Sequence, residues 1–449
     1  MKIILDNRLR LIGLKTRYRD ELKKHFTWRN PVYWTARKNR RPCAHLEHEL
    51  VLWQEKDGEI SLPRGTINTV KEWLNKQGLH PEETVDQRLL RGIDRPLVFN
   101  GKLRDYQQQA IDKALTIGQG VIQAPTGSGK TVIAMGLAAR AGTPVLFIVH
   151  TSILLNQTVE RARQYLGIEP AVIARGKVNI GPFTVALVQT LIRRDLADIG
   201  RNFGMVILDE AHHCPASSFK QVIQEFPAYY RFGLTATPER KDKLHPLLYA
   251  VMGEKIFDVS NAELLAGGAI LKPDLLEVET AFRFRFRRDN YQEMLQAIAK
   301  DKKRNELIVN IVKRTHKHRS LVLSERIAHC NLLTEELKAQ GLKAAAFTGD
   351  IPAEERERIS NRFRTAEIDI LVATTTLVGE GFDLPQIDTI FLTMPNGNRA
   401  KTLQILGRVL RPAQGKRVGR IVDFRDRRVS ILERQYQKRK AIYLNFADE

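Results

Sequence analysis

The segment Gly120-Val-Ile-Gln-Ala-Pro-Thr-Gly-Ser-Gly-Lys-Thr131 opens as a short β-branched run and ends where an amphipathic stretch begins. A strand that turns through glycines directly into a helix is the context a phosphate-binding loop requires. The glycines let the backbone curl so that its N–H groups point inward, and the helix N-terminus adds partial positive charge. Thr126, Gly127, Ser128, Gly129, Lys130 and Thr131 are therefore expected to hold a nucleoside triphosphate such as ATP. Lys130 would reach the β- and γ-phosphates, and the Thr131 hydroxyl would ligate Mg2+. Ala124 stands where the simplest form of the loop has its first glycine.

Outward from this loop, short β-branched runs alternate with helical stretches, the pattern of parallel α/β domains. Strands are expected at 120–123, 145–149, 184–188, 205–208 and 230–234. A second series follows at 321–323, 343–347, 368–372, 389–393 and 421–424, after a Gly-rich turn at Gly267–Gly268. Asp209-Glu210-Ala211-His212 comes directly after the apolar run Met205–Leu208. A strand end places both carboxylates in the crevice where open α/β sheets bind ligands. There Asp209 can hold Mg2+ through water, with Glu210 beside it in the metal's reach. Glu210 can also orient and deprotonate an attacking water. Together with Lys130 these are the expected catalytic residues of the first series.

The second series carries Gly379-Glu-Gly-Phe-Asp383 and Gln404-Ile-Leu-Gly-Arg-Val-Leu-Arg411. Phosphoryl transfer needs positive charge on the transferring group, and arginine supplies it with fork geometry. Arg408 and Arg411, three apart, are expected on one helix face. If they complete a catalytic site begun at Lys130, ATP lies between two lobes and its hydrolysis changes how they close.

As an ordered set, Ala124–Thr131, Asp209–His212, Thr235-Ala-Thr-Pro238, the Gly379–Asp383 run and Gln404–Arg411 resemble the motifs of superfamily 2 helicases over roughly residues 100–425. The resemblance implies an α/β fold of two tandem RecA-like lobes with parallel sheets. It implies that Leu103-Arg-Asp-Tyr-Gln107 reads adenine, with Gln107 on the base edge and Arg104 bracing it. By the same likeness Gly379, Asp383 and Gln404 belong to the ATP site, Asp383 as the ribose contact. His212, Thr235 and Thr237 would link hydrolysis to strand movement. Thr151, Gln157, Gln189 and Thr190 would track the nucleic-acid backbone in the first lobe, and Thr374–Thr376, with Thr375 at the centre, in the second. The Leu103–Gln107 start and the Gln404–Arg411 ending look closer to the XPB/UvsW group, which includes phage-encoded branch-migration helicases. That implies DNA as partner, 3′→5′ movement and remodelling of forks or junctions, by a chain able to act as a monomer. An RNA helicase, or a translocase subunit of a restriction or defence complex, remains the alternative; a binding module with a degenerate nucleotide site does not suit intact Lys130, Glu210, Arg408 and Arg411.

Composition agrees with a polyanionic partner. The 449 residues hold 72 Lys and Arg against 51 Asp and Glu, a net charge of +21 and a pI near 9.9, which suits nucleic acid. Thirteen of those cations, with only three acids, fall in residues 1–41, and twelve with four acids in residues 281–319. Hydrophobic residues make up 43%, and no apolar run approaches the roughly 18 residues that read as a membrane span. The three cysteines, odd in number and far apart, argue for a reducing compartment, the cytoplasm.

The expected domains are 1–95, 96–265 and 266–449. All four tryptophans fall in the first, read as a separate small α+β DNA-binding module with a helix over 66–77. Trp53 and Trp73 are expected in its core. Trp34, followed by Arg37, Lys38, Arg40 and Arg41, is a candidate DNA contact, because cations neutralise phosphates and an aromatic can stack on an exposed base. Phe282-Arg-Phe-Arg-Phe-Arg287 alternates with period two, as a strand with phenylalanines inward and Arg283, Arg285 and Arg287 outward. Beside Lys300–Arg304 those arginines favour a phosphate-contacting surface. Cys43, His45 and His48 lack the second cysteine pair of a zinc site and read as surface residues.

Overall fold

The computed structural model describes residues 1–446 except 126, 215–216, 238–241, 288, 380–386, 414–415 and 417; at 217–220, 353, 378–379 and 400 it describes the backbone alone. Two compact units result, Met1–Ala124 with Gly129–Val259, and Ser260–Glu449 with Pro125–Ser128.

In the first unit an eight-stranded sheet runs in the order Lys177–Val178, Ala171–Ala174, Phe183–Leu187, Val145–Val149, Met205–Leu208, Tyr230–Thr235, Gln119–Gln123, Lys255–Asp258. All neighbours are parallel except the first, antiparallel pair. Central strands such as Val145-Leu-Phe-Ile-Val149 and Met205-Val-Ile-Leu208 are buried along their whole length, as helices covering both faces of a parallel sheet require. The helices between them stop cleanly, at left-handed Gly142 and Gly167, because glycine adopts that conformation without a Cβ clash.

A five-stranded sheet precedes it, in the order Gln54–Lys56, Glu59–Pro63, Arg8–Ile12, Lys2–Leu5, Glu83–Asp86. Helices Thr16–His25 and Ile67–Lys76 contribute Leu22, Val70 and Leu74 to its core, where Trp73 also sits. Leu247 and Ala250, from helix His245–Met252 of the larger sheet, belong to the same core. Arg64 is wholly buried and donates to Gln119 Oε1 at 2.8 Å and to the Ala228 carbonyl at 2.5 Å. Arg231, also buried, donates to the carbonyls of Phe226, Asn7 and Val251, and burial lowers its pKa to about 10. At Gly65 a Cβ would lie 2.4 Å from the Tyr249 carbonyl oxygen and 2.5 Å from Gly253 N. The N-terminal sheet is thus sealed onto its neighbour rather than standing as a separate module. Between its elements a small insertion projects, the antiparallel ribbon Thr27–Arg29 with Glu49–Val51 and the helix Pro31–Lys38.

The second unit is a six-stranded, wholly parallel sheet, in the order Pro273–Glu279, Gly419–Arg425, Thr389–Leu392, Ser320–Ser324, Ile370–Thr374, Ala344–Phe347. Two expectations are corrected here. Residues 281–287 alternate in exposure as their pattern demands, yet form no strand, because pairing with Gly419–Arg425 ends at Glu279. Arg411 is not on a helix with Arg408, since that helix is Arg399–Val409. Cys43, His45 and His48 lie in the turns between Lys38 and Glu49, off any helix.

Candidate active site and nucleic-acid surface

Five consecutive parallel strands of the eight-stranded sheet end along one edge, and the candidate residues of the first unit follow them directly. In sheet order these are Gln189 and Thr190, Thr151, Asp209 and Glu210, Thr235 and Thr237, and the loop that leads to Lys130. Topology therefore gathers onto one lip what the chain spreads over more than a hundred residues.

The loop curls through left-handed Gly127 (φ 94°) and Gly129 (φ 78°), and helix Lys130–Ala141 begins at once. Thr126 and Pro238 lie outside the described residues. Thr131, half-buried, occupies the helix's first turn. Gln107 is buried, and its Oε1 accepts from Arg104 N at 3.0 Å. A Cβ at Gly129 would fall 2.6 Å from its Nε2, so Gln107 braces both its own helix start and the phosphate loop.

The Lys130 ammonium lies 3.4 Å from the Ala124 carbonyl and 3.6 Å from Glu210 Oε1. Glu210 has a left-handed backbone (φ 47°, ψ 52°), a conformation that costs a non-glycine residue roughly 1 kcal/mol or more. His212 Nδ1 is 3.3 Å from Glu210 Oε2 and 3.2 Å from Thr235 Oγ1. Thr235 Oγ1 in turn donates to the Thr237 carbonyl at 3.1 Å, and the Thr235 carbonyl accepts from Ala124 N at 2.8 Å. One continuous polar path joins Lys130, Glu210, His212, Thr235 and Thr237.

Burial, then the adjacent Glu210 charge, raise the Asp209 pKa. Burial works against ionisation of Glu210 too, but Lys130 and His212 outweigh it, and its pKa is lowered. Two carboxylates against one ammonium leave a net negative charge, which favours a divalent cation bound through oxygens.

Thr151 caps helix Ser152–Leu166, accepting from Leu154 N at 3.2 Å. Gln157 is half-buried on that helix. Exposed Gln189 donates to the His150 carbonyl at 2.8 Å, tying two strand ends together. His150 and His213, with ring centroids 4.5 Å apart, went unmarked in the sequence. No spacing links them; only the pairing of Val145–Val149 with Met205–Leu208 brings them close.

In the second unit Gln404 and Arg408 are one turn apart on Arg399–Val409 and both half-buried, and Arg411 is exposed past the helix end. Lys416, likewise unmarked in the sequence, donates to the carbonyls of Ile387, Val409 and Arg411, and burial lowers its pKa to about 8. Gly379 ends the helix Thr375–Gly379; Asp383 lies outside the described residues. Thr375 is buried, its hydroxyl on the Ser324 carbonyl, while neighbouring Thr376 is exposed.

Arg283, Arg285 and Arg287 are exposed, and the first two border an open depression with Arg428. Arg304, grouped with them by sequence, is buried against Asp426 at 2.9 Å. In the first unit Trp34, Arg37, Lys38, Arg40 and Arg41 are all exposed.

Residues 100–240 match the family model described as "Type III restriction enzyme, res subunit", and residues 302–413 match "Helicase conserved C-terminal domain". "DNA 3'-5' translocase XPB2" of Sulfurisphaera tokodaii is 27% identical over 377 residues, covering 75% of this chain and 85% of the relative. "Probable helicase D10" of Escherichia phage T5 is 28% identical over 372 residues, covering 81% and 79%. The Hef helicase domain of Pyrococcus furiosus superposes with a TM-score of 0.52 at 17% identity, over 74% of this chain and 97% of that one, a likeness of fold.

Proposed function

The chain belongs to the superfamily 2 helicases, two RecA-like units in tandem, and we propose on that footing that it is an ATP-dependent 3′→5′ DNA translocase that remodels branched DNA such as forks, Holliday junctions, D-loops and R-loops. The observation that carries this reading is the polar path from Lys130 through Glu210 and His212 to Thr235 and Thr237. It links the phosphate loop to the strand ends whose neighbours, Thr151 and Gln189, occupy the same lip.

Lys130 neutralises the β- and γ-phosphates, and the loop's N–H groups hold their oxygens. Glu210, kept ionised by Lys130 and His212, accepts the proton of the attacking water. Thr131 and Asp209 would hold Mg2+, which when bound stabilises charge on the transferring phosphoryl group. Arg408 and Arg411 act in the same hydrolytic step. Loss of the γ-phosphate alters what Glu210 faces, and His212 passes that change to Thr235. We place the protein in the cytoplasm on its three free cysteines.

The test is ATP turnover and strand displacement by the full chain across forks, Holliday junctions, D-loops, R-loops, plain duplex and RNA. Greatest stimulation by RNA would overturn the DNA assignment; equal stimulation by plain duplex would remove the preference for branches. The description of the model matched by residues 100–240 favours a second reading, a motor subunit of a restriction complex. Affinity capture that recovers a stoichiometric nuclease or methyltransferase chain would establish it.

A further inference from the structure

The four tryptophans do different work. Trp73 is buried in the core of the N-terminal sheet, and Trp28 and Trp53 pack against that core. The Trp28 indole N–H donates to the His25 carbonyl at 3.1 Å, and that of Trp53 to Thr27 Oγ1 at 3.0 Å. Trp34 is 36% exposed on helix Pro31–Lys38, which has no buried residue. Pro31, Val32, Tyr33 and Ala36 are half-buried, with Tyr33 against the His48 ring at 6.1 Å, and the other half of the helix is turned to solvent.

Its footing is rigid. Asn30, 7% exposed, caps the helix by accepting from Val32 N at 3.0 Å and donates to the Glu47 carbonyl at 2.7 Å. On that footing two guanidiniums rest on one indole: Arg29 Cζ lies 4.8 Å and Arg37 Cζ 5.3 Å from the Trp34 ring centroid. Arg41 N returns to the Ala36 carbonyl at 2.9 Å, and Lys38, Arg40 and Arg41 are exposed around the turn that ends the helix.

The cations of the module divide into those held by a carboxylate and those without one. Lys2, Arg10, Arg17, Arg19 and Lys23 each pair with a carboxylate of the N-terminal sheet or its helix. Among the described residues, Arg29, Arg37, Lys38, Arg40 and Arg41 have no carboxylate within ion-pairing distance. Cations without a carboxylate at ion-pairing distance, two of them over an exposed ring, repel one another until an anion neutralises them. Duplex DNA would satisfy the charges but leave the indole unused. An unpaired strand offers phosphates and a base face together, and base–aromatic stacking adds about 1–3 kcal/mol per base.

We propose that Trp34, with Arg29 and Arg37 on its ring, is a clip for an unpaired DNA strand. A base takes a ring face that a guanidinium yields, the guanidiniums hold the flanking phosphates, and the clip so selects branch points over continuous duplex. This rests on the reading of the chain as a DNA motor and assigns the origin of its branch preference. The clip takes no part in ATP chemistry.

The experiment is equilibrium binding of the full chain, by anisotropy, to labelled oligothymidylate, to a fork with unpaired arms and to blunt duplex. Trp34→Ala should weaken oligothymidylate and fork binding on the order of 10-fold, the loss of one stacked base, and leave blunt duplex binding and the thermal midpoint unchanged. Trp34→Phe should restore most of the affinity. Arg29→Gln with Arg37→Gln should reduce the salt dependence of oligothymidylate binding by about two in log–log slope at most. Equal losses on duplex and single strand, no loss with alanine, or no rescue by phenylalanine would each overturn the clip. Wild-type ATPase indifferent to any DNA would instead overturn the motor reading and leave the binding result standing.

Discussion

Glu210→Gln keeps the shape of the side chain and removes the charge that faces Lys130 at 3.6 Å. ATP and DNA binding should persist while turnover falls roughly 10²-fold or more, the usual weight of a general base. Near-normal turnover with DNA present would remove Glu210 from that role. His212→Ala cuts the path between Glu210 and Thr235. Strand displacement per ATP consumed should drop, and a parallel fall in both rates would show that His212 serves hydrolysis alone. Asp209 and Glu210 were legible because an apolar run announces a strand end, and strand ends of parallel sheets bind ligands. His150 and His213 were not, since only strand pairing brings them together, and Lys416 was not, since a lysine in a basic stretch gives no sign of the backbone carbonyls it will meet. Thr375 is buried and Thr376 exposed, and sequence likeness, which marked Thr374–Thr376 together, could not tell which way each one faces.

Gly65 tests how elements are joined. Its 3-10 turn meets the backbone of Tyr249, Ala250 and Gly253 too closely for any side chain, so Gly65→Ala should destabilise the chain by about 1–3 kcal/mol. A shift in the midpoint of urea unfolding would register it; an unchanged midpoint would mean the seal is slack. Deleting residues 1–95 would uncover Leu247 and Ala250 and strip Arg64 from Gln119. The thermal midpoint of what remains should fall, against the independence that the sequence suggested. The ten strands read from β-branched runs all occur, because a buried parallel strand must be continuously apolar to lie between helices. The phenylalanine–arginine alternation gave burial correctly and pairing wrongly. Period two reports which side faces the core; it carries no information about whether a partner strand continues alongside.

A net charge of +21 over the whole molecule makes DNA affinity a function of salt. The logarithm of the binding constant should fall linearly with that of salt concentration, and reversing Arg37, Lys38, Arg40 and Arg41 should flatten the line by about one per lost phosphate contact. An unaltered slope would place the phosphate contacts elsewhere. Arg408→Ala in the full chain should cut ATP hydrolysis on the order of 10³-fold, as loss of a charge-stabilising arginine does in phosphoryl transfer; an unchanged rate would leave Lys130 and Glu210 sufficient. Both tests concern properties that composition and motif order already carried. What they did not carry was the sorting of cations, some spent on carboxylates of the fold and others left for a partner, because that depends on which acids fold next to them.

The left-handed backbone at Glu210 also has a meaning for selection. Glycine there would relieve roughly 1 kcal/mol of strain but leave Lys130 without the carboxylate whose pKa it lowers. A library of variants ranked by heat resistance alone should therefore promote Glu210→Gly only together with a neutral residue at 130, while the same library ranked by ATP turnover discards both. The chain is held below its attainable stability at the residue its chemistry can least exchange.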